Sequence, residues 1–316
     1  MITSSDLSGL MAMMPAFGTD NAGDAFATDT IAIDRLEQGL NRMIADGANV
    51  IATTGSFGEF HTLLPEEFAT LARASAEINN RRVPLFVGTT GLNTREVFRK
   101  LEIVNETSAA GVLLGVPFYF PSSPENAIRF FRDVATAFPK LGIMVYHNPP
   151  HHKVRLSLAM MQEILKIPTV VAMKDSHRQP AEFMRLAQMS RDKLSIFVNQ
   201  LQYAMFAPVG ARGFWSIDAW MGPHPQLALR DAVQCKDMVK AAEITLDMAP
   251  PTNAKPPNPS WRETAAKIAI RYAGYVDPGP LRPPFIDVPP EVDAAQKAKA
   301  EKWKLLCAKY RHPVLA

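Results

Sequence analysis

Short apolar runs alternate with longer amphipathic segments over the first two thirds of the chain. The apolar runs span residues 10–17, 50–54, 84–88, 111–115, 142–146, 170–174, 194–198 and 211–217. The segments between them, from 31–46 to 201–209, carry apolar residues at the spacing of one helix face. Because runs of this length are typical of buried strands, the pattern predicts eight strands that alternate with helices.

Strict alternation of strands and helices favours a parallel sheet, and eight strands are the number that closes a barrel. An open, doubly wound sheet is the alternative, but no G-x-G-x-x-G turn follows the first strand to bind a dinucleotide. Beyond residue 217 the pattern is helical, and a proline-rich stretch at 249–259 predicts an exposed turn or linker. We therefore expect an α/β protein, a (β/α)8 TIM barrel over residues 1–223 with a C-terminal helical extension, 224–316, packed on it.

Composition narrows the class of protein. The 316 residues are 47% hydrophobic and 21% charged, as in an ordinary globular protein. The net charge of +3 comes without a run of like charges, so we expect no nucleic acid partner. Cys235 and Cys307 lie far apart and have no metal-ligand spacing, which predicts free thiols and no metal. With neither a signal sequence nor a long apolar span, we expect a cytoplasmic protein with no membrane partner.

Lys174 ends the sixth apolar run, and the carboxyl ends of the strands form the active-site face of such a barrel. Its amine would therefore lie at the mouth of the barrel, with its stem among apolar side chains. Loss of water disfavours the charged form of a lysine, and the neutral amine can attack a ketone to form an imine. A solvated lysine at a strand end is the simpler alternative, since most lysines are exposed.

Two further features would lie at the same rim. Tyr146 ends the preceding strand, where its phenol could transfer protons, although an aromatic plug is the alternative. The turn at Gly55, Ser56 and Phe57 offers backbone N–H groups and a hydroxyl to a carboxylate, unless it is a plain connecting turn. An amine, a phenol and a carboxylate nest together are what a small-molecule 2-oxo acid substrate requires.

The ordered set of these motifs resembles the dihydrodipicolinate synthase and N-acetylneuraminate lyase superfamily of Schiff-base aldolases. The resemblance extends from the first strand to Phe285. It rests on the G-S-F-G-E turn at 55–59, the Y-x-x-P element at 146–149, Lys174 after an apolar strand, and a looser pattern of Gly274, Gly279, Arg282 and Pro284. It implies a (β/α)8 barrel, an imine on Lys174, Tyr146 as the proton-transferring group, no cofactor and a homotetramer.

The chain departs from the lysine-biosynthesis synthases at informative positions. Phe57 stands where they have the second of two threonines, His151 where they have an arginine, and Phe118 where they have a tyrosine. The G-S-F-G-E turn, the Y-x-N-P element and Trp215 in the eighth strand instead resemble the benzylidenepyruvate hydratase-aldolases of aromatic-hydrocarbon degradation. Phe57, Phe118 and Trp215 would line an aromatic pocket suited to an aryl group.

This subgroup implies an o-hydroxy- or o-carboxybenzylidenepyruvate that is hydrated and then cleaved to an aromatic aldehyde and pyruvate. The expected substrate-binding residues are Gly55, Ser56, Phe57, Tyr119, Asn148, His151 and Trp215. His151, with its basic neighbours His152 and Lys153, is a candidate for an ortho-carboxylate, and a solvated loop is the alternative. Another class I pyruvate aldolase, a dihydrodipicolinate synthase-like enzyme and a non-catalytic 2-oxo acid-binding module are the other functional hypotheses.

Overall fold

A closed barrel of eight parallel strands forms the body of the protein. The computed structural model describes residues 1–250, 261 and 263–311. Neighbouring strands follow chain order, and the last strand pairs with the first. The strands are β1 Gly9–Met13, β2 Val50–Thr53, β3 Leu85–Gly88, β4 Gly111–Leu114, β5 Gly142–His147, β6 Val170–Asp175, β7 Ser195–Asn199 and β8 Ala211–Ser216. The predicted TIM barrel is confirmed, and the open sheet is excluded.

Helices follow the strands around the barrel and continue beyond it. They are α1 Ile33–Ala45, α2 Pro65–Asn79, α3 Thr94–Asn105, α4 Pro124–Ala137, α5 Pro149–His152, α6 Leu158–Ile164, α7 Pro180–Ser190, α8 Tyr203–Phe206, α9 His224–Gln234, α10 Met238–Met248, α11 Ala266–Ala273 and α12 Pro290–Lys309. No described helix is both long enough and apolar enough to cross a membrane.

Every residue of β1 to β6 is buried, because the inner face packs in the barrel and the outer face packs on the helices. Strands buried on both faces have continuous apolar runs rather than an alternating pattern. This is why the runs are visible in the sequence. In β8, by contrast, Arg212 is exposed and Trp215 is half-buried.

Two predicted elements have different boundaries in the structure. The first strand ends at Met13 instead of residue 17, because Pro15 follows and has no N–H for the ladder. The predicted helix at 201–209 is a four-residue helix, α8, flanked by two 3-10 turns. Pro208 and Gly210 close this segment, and both residues disfavour a longer helix.

The C-terminal extension is tied to the barrel by buried polar contacts. The indole of Trp303 on α12 donates to the carbonyl oxygen of Gly222 at 2.9 Å. The buried guanidinium of Arg282 donates to the backbone oxygen of Thr30, also at 2.9 Å. These contacts fix the extension against the segments that follow β8 and β1. Most of the proline-rich stretch predicted at 249–259 lies outside the described residues.

Candidate active site

Lys174 lies at the carboxyl end of β6, directly beside Tyr146 in the register of β5 and β6. The residue is only 7% exposed, so the solvated-lysine alternative does not hold. Its Nζ lies 4.2 Å from the ring centroid of Tyr146 and 3.9 Å from that of Trp215. Within the described part of the chain, no hydrogen bond or ion pair engages this amine. The nucleophile candidate is therefore held between two aromatic faces and is not bound to a carboxylate.

The phenol of Tyr146 is the centre of a short polar chain. The buried amide of Asn148 donates from Nδ2 to the phenol oxygen at 3.0 Å. On its other side, the phenol oxygen lies 3.1 Å from Oγ of Ser56. Because Asn148 supplies a donor, the phenol proton is left to point toward Ser56 or toward a bound substrate. This arrangement suits a group that transfers protons.

The turn after β2 presents unoccupied backbone donors. The amides of Ser56 and Phe57 donate to no acceptor among the residues that the structure describes. The turn needs glycine at Gly58, since a Cβ there would lie 2.5 Å from the Thr54 amide nitrogen. Thr54 itself has a φ of 47° and anchors the turn by donating from Oγ1 to the Gly88 carbonyl oxygen at 2.8 Å. Two open N–H groups beside a hydroxyl fit a carboxylate.

Trp215 reaches the same site from β8. Its indole N–H donates to Oγ of Ser176 at 2.7 Å, which fixes the ring plane against Lys174. Phe57 is buried, and Phe118 packs edge-on against Phe60 with ring centroids 6.0 Å apart. The rings of Tyr146 and Trp215 therefore lie directly against the amine of Lys174, while an aryl-binding pocket that includes Phe57 and Phe118 stays a prediction.

Two of the expected substrate-binding residues, Tyr119 and His151, are exposed at the surface. Tyr119 is 65% exposed and contacts Phe120, with ring centroids 4.9 Å apart. The side chain of His151 is 55% exposed, and its Nε2 lies 3.5 Å from a carboxylate oxygen of Glu263. The structure thus brings together Lys174, Tyr146, Gly55, Ser56, Phe57, Asn148 and Trp215, and it places Tyr119 and His151 nearer the surface; the catalytic and binding roles of all nine residues stay predictions. No group of three or more described His, Cys, Asp or Glu side chains is placed to hold a metal ion.

A buried charge network that the sequence does not reveal lies next to the site. His147 and Asp175 follow the two site residues on β5 and β6, pair in the strand register, and join Nδ1 to Oδ1 at 2.9 Å. Arg178 donates from Nε to Asp175 Oδ2 at 2.5 Å. Because the Leu156 amide donates to Nε2 of His147 at 3.3 Å, the ring proton lies on Nδ1. The network clamps β5 to β6 one residue beyond Tyr146 and Lys174.

Asp175 and Ser176 follow the sixth strand, where an N-cap of the next helix is expected, but neither residue caps it. Helix α7 begins at Pro180 and is preceded by Gln179. Asp175 instead accepts from the backbone of His177 at 3.1 Å and from the buried network. Burial opposes its ionisation, but the His147 hydrogen bond and nearby positive charge outweigh burial and keep the pKa of this carboxyl below its usual value.

Replacing Arg178 with methionine should lower the free energy of unfolding by about 3–5 kcal/mol, because Asp175 would remain as a buried charge without its cation. The side chains of both residues are 1% exposed. Arg99→Met is the matched control, since the Arg99 side chain is 83% exposed and its loss should change stability by less than about 0.5 kcal/mol. Urea denaturation followed by circular dichroism measures both. Equal effects for the two variants would refute a structural role for the network.

A second buried pair connects the carboxylate-nest turn to the extension. Nζ of Lys267 on α11 donates to Oε2 of Glu59 at 2.7 Å, and both side chains are buried. Burial lowers the pKa of Lys267, while the Glu59 carboxylate opposes that shift. The other carboxylate oxygen of Glu59 has no partner in the described chain. This contact joins residues 208 positions apart, so the extension takes part in holding the turn after β2.

A closed barrel with a buried lysine at the end of its sixth strand is the arrangement that the sequence resemblance implies for a Schiff-base aldolase. The model of the dihydrodipicolinate synthetase family matches residues 25–302, and the chain belongs to this family. The protein is a carbon–carbon lyase. The family assignment made from the sequence is thereby confirmed.

Among curated relatives, the trans-o-hydroxybenzylidenepyruvate hydratase-aldolase of Pseudomonas putida is 32% identical over 98% of this chain and 96% of its own length. The trans-2'-carboxybenzalpyruvate hydratase-aldolase of Nocardioides sp. is 26% identical over the same shares. The 4-hydroxy-tetrahydrodipicolinate synthase of Exiguobacterium sibiricum is 27% identical over 77% of this chain and 83% of its own. These two hydratase-aldolases thus match a larger share of the chain than this synthase does.

Among solved structures, PhdJ bound to a substrate intermediate superposes with a TM-score of 0.92 at 24% identity, covering 98% of this chain and 99% of that one. A dihydrodipicolinate synthase of Bacillus anthracis superposes with a TM-score of 0.82 at 22% identity, covering 93% and 97%. At these identities the likeness establishes the shared fold.

Proposed function

We propose that the protein is a pyruvate-releasing hydratase-aldolase that acts on aryl-substituted benzylidenepyruvates through an imine on Lys174. One observation carries the proposal. The unpaired amine of Lys174 lies between the Tyr146 and Trp215 rings, while the carboxylate nest at Ser56 contacts the same phenol. A 2-oxo acid therefore finds its three recognition groups in one place, with aromatic side chains for an aryl group beside them.

In the first step, the substrate carboxylate accepts hydrogen bonds from the amides of Ser56 and Phe57. Lys174 attacks the keto carbon, and water leaves as the imine forms. The Tyr146 phenol, hydrogen-bonded by Asn148, is the group that moves the protons of this step. The protonated imine is an electron sink, and the two ring faces against Nζ stabilise its positive charge.

In the second step, water adds to the alkene carbon that bears the aryl group, because conjugation with the imine makes that carbon electrophilic. Asn148 and the phenol of Tyr146 are the polar groups available to orient this water. The product is an enamine that carries a benzylic alcohol. Protonation of the other former alkene carbon converts the enamine back to the imine. No group other than the lysine imine is required as the electron sink.

In the third step, Tyr146 takes the proton of the benzylic alcohol and the carbon–carbon bond breaks. The bonding electrons pass into the imine, which leaves an aromatic aldehyde and the enamine of pyruvate. Protonation of the enamine and hydrolysis of the imine then release pyruvate and restore Lys174. The balance is one benzylidenepyruvate and one water to one aldehyde and one pyruvate.

We place the protein in the cytoplasm as a homotetramer that takes a small-molecule 2-oxo acid and no nucleic acid or membrane partner. The free thiols of Cys235 and Cys307 support a reducing compartment. The tetramer is supported by the resemblance described above. Gel filtration with light scattering measures the oligomeric state directly.

A dihydrodipicolinate synthase-like reaction is the second candidate, since a relative named 4-hydroxy-tetrahydrodipicolinate synthase shares the family. The aromatic surroundings of Lys174 favour the aryl substrate. The test incubates the purified protein with o-hydroxy- and o-carboxybenzylidenepyruvate and follows the loss of their absorbance. We expect an aromatic aldehyde and pyruvate in equal amounts. No cleavage of either aryl compound, with no release of pyruvate, would contradict the proposal.

A further inference from the structure

His152 is a buried histidine at the mouth of the barrel that the mechanism above does not use. Its ring packs edge-on against Tyr146, with centroids 4.9 Å apart. It also lies directly over Gly115, just beyond β4, because a Cβ at that glycine would lie 2.2 Å from Cε1 of the ring. The residue is 4% exposed. The imidazole therefore lies between the ends of β4 and β5, beside the proton-transferring phenol.

The hydrogen bonds of the ring determine which of its nitrogens can meet a ligand. Nδ1 lies 3.1 Å from the backbone oxygen of Tyr146, and a carbonyl can only accept, so Nδ1 carries the proton. Nε2 has no partner in the part of the chain that the structure describes. In the neutral ring this nitrogen presents a lone pair and nothing to donate.

The surroundings keep this ring neutral. Burial lowers the pKa of His152 to about 3, and the positive charge of Lys174 acts in the same direction. Within the described chain, no carboxylate contacts the ring to stabilise a cation. At neutral pH, His152 is therefore a hydrogen-bond acceptor and not a positive charge.

The neighbouring basic residues are engaged with acceptors of the chain itself. Nζ of Lys153 donates to the backbone oxygen of Tyr119 at 2.9 Å. Nε2 of His151 lies 3.5 Å from the carboxylate of Glu263. His151, His152 and Lys153 are the residues expected to contact an ortho-carboxylate. In the structure, His152 is a neutral acceptor beside the phenol, and the carboxylate of Glu263 lies near His151. Both features disfavour an anionic substituent.

We infer that Nε2 of His152 accepts a hydrogen bond from a hydroxyl on the aryl ring of the substrate, and that this contact selects hydroxylated over carboxylated benzylidenepyruvates. The inference rests on the proposed function and names the substrate class within it. A hydroxyl donates to the lone pair, whereas a carboxylate would bring its own lone pairs against it. His152 is then a specificity-determining residue.

The first test compares kcat/KM of the wild-type enzyme for o-hydroxy-, o-methoxy- and o-carboxybenzylidenepyruvate. The methoxy compound is the matched control, because it keeps the ring oxygen and lacks the proton to donate. We expect the hydroxy compound to be used about tenfold better than the other two. A wild-type enzyme that prefers the carboxy compound overturns the inference.

The second test uses two variants of His152 that separate the roles of its two ring nitrogens. In His152→Asn, the amide can replace the Nδ1 donor to Tyr146, but no acceptor remains at the Nε2 position. In His152→Gln, a polar atom remains at the Nε2 position. The ratio of kcat/KM for the hydroxy compound to that for the methoxy compound should fall about tenfold in His152→Asn and less than about threefold in His152→Gln. Within each variant this ratio cancels any general loss of activity.

The outcomes separate this inference from the proposed function. An unchanged ratio in His152→Asn, with aldehyde release and a pyruvate adduct on Lys174 intact, overturns the role of His152 alone. Absence of any aryl cleavage overturns the proposed function, and the inference falls with it. Loss of the hydroxy preference in His152→Asn but not in His152→Gln supports the inference.

Discussion

Replacing Lys174 with methionine should lower kcat/KM for benzylidenepyruvate cleavage by about 10⁴-fold or more, because the imine electron sink would be lost for every bond-breaking step. Methionine is similar in length and suits the buried position between the Tyr146 and Trp215 rings. The variant should therefore fold. Initial rates of aldehyde release measure the effect, and circular dichroism confirms folding.

Lys240→Met is the control for this experiment, because Lys240 lies on α10 with its side chain 44% exposed and paired with Glu243. Its activity should match that of the wild type. If Lys174→Met kept cleaving the substrate at a rate near that of Lys240→Met, another residue would carry the reaction and the assignment of the lysine would be wrong.

Replacing Tyr146 with phenylalanine should slow carbon–carbon cleavage by about 10²–10⁴-fold, because the group that takes the alcohol proton would be lost. Phenylalanine keeps the ring against Nζ of Lys174 and against His152, so imine formation should continue more slowly. Single-turnover rates of aldehyde release, compared with borohydride trapping of the imine, separate the two steps.

Tyr272→Phe is the matched control, since the hydroxyl of Tyr272 donates to Asp293 on the exposed side of α12. Removing that hydroxyl should leave cleavage unchanged. A Tyr146→Phe enzyme that cleaved substrate as fast as Tyr272→Phe would rule out the phenol as the base. Loss of trapping together with cleavage would instead indicate that Tyr146 is needed for imine formation itself.

The barrel can be predicted from the sequence because its strands are buried on both faces. Such strands appear as continuous apolar runs, and the residues that end them must lie on one rim. The order of the runs alone therefore predicts that Lys174 and Tyr146 are neighbours at that rim. Their side-by-side register in β5 and β6 confirms this prediction.

The charged network behind the site cannot be predicted in the same way. His147 and Asp175 stand next to the site residues, but strand alternation turns them to the opposite face, where their partners depend on the loops that pack there. Arg178 reaches Asp175 only because the segment before α7 folds back, a feature that has no periodic signal. The pairing register is the one available clue, since it sets His147 opposite Asp175.

The two contacts that join distant segments are equally hidden in the sequence. Glu59 and Lys267 meet only because α11 packs over the turn after β2, and no local pattern specifies that packing. His152 belongs to a basic cluster that is typical of an exposed loop. The short helix α5 instead places its ring over Gly115, in a space that exists because that residue has no side chain.

The most direct test of the central claim is sodium borohydride reduction of the whole protein in the presence of pyruvate, read by intact and peptide mass spectrometry. The account predicts one covalent adduct of reduced pyruvate per chain, located on the peptide that contains Lys174. An adduct on a different lysine, or no adduct at saturating pyruvate, would contradict the imine mechanism.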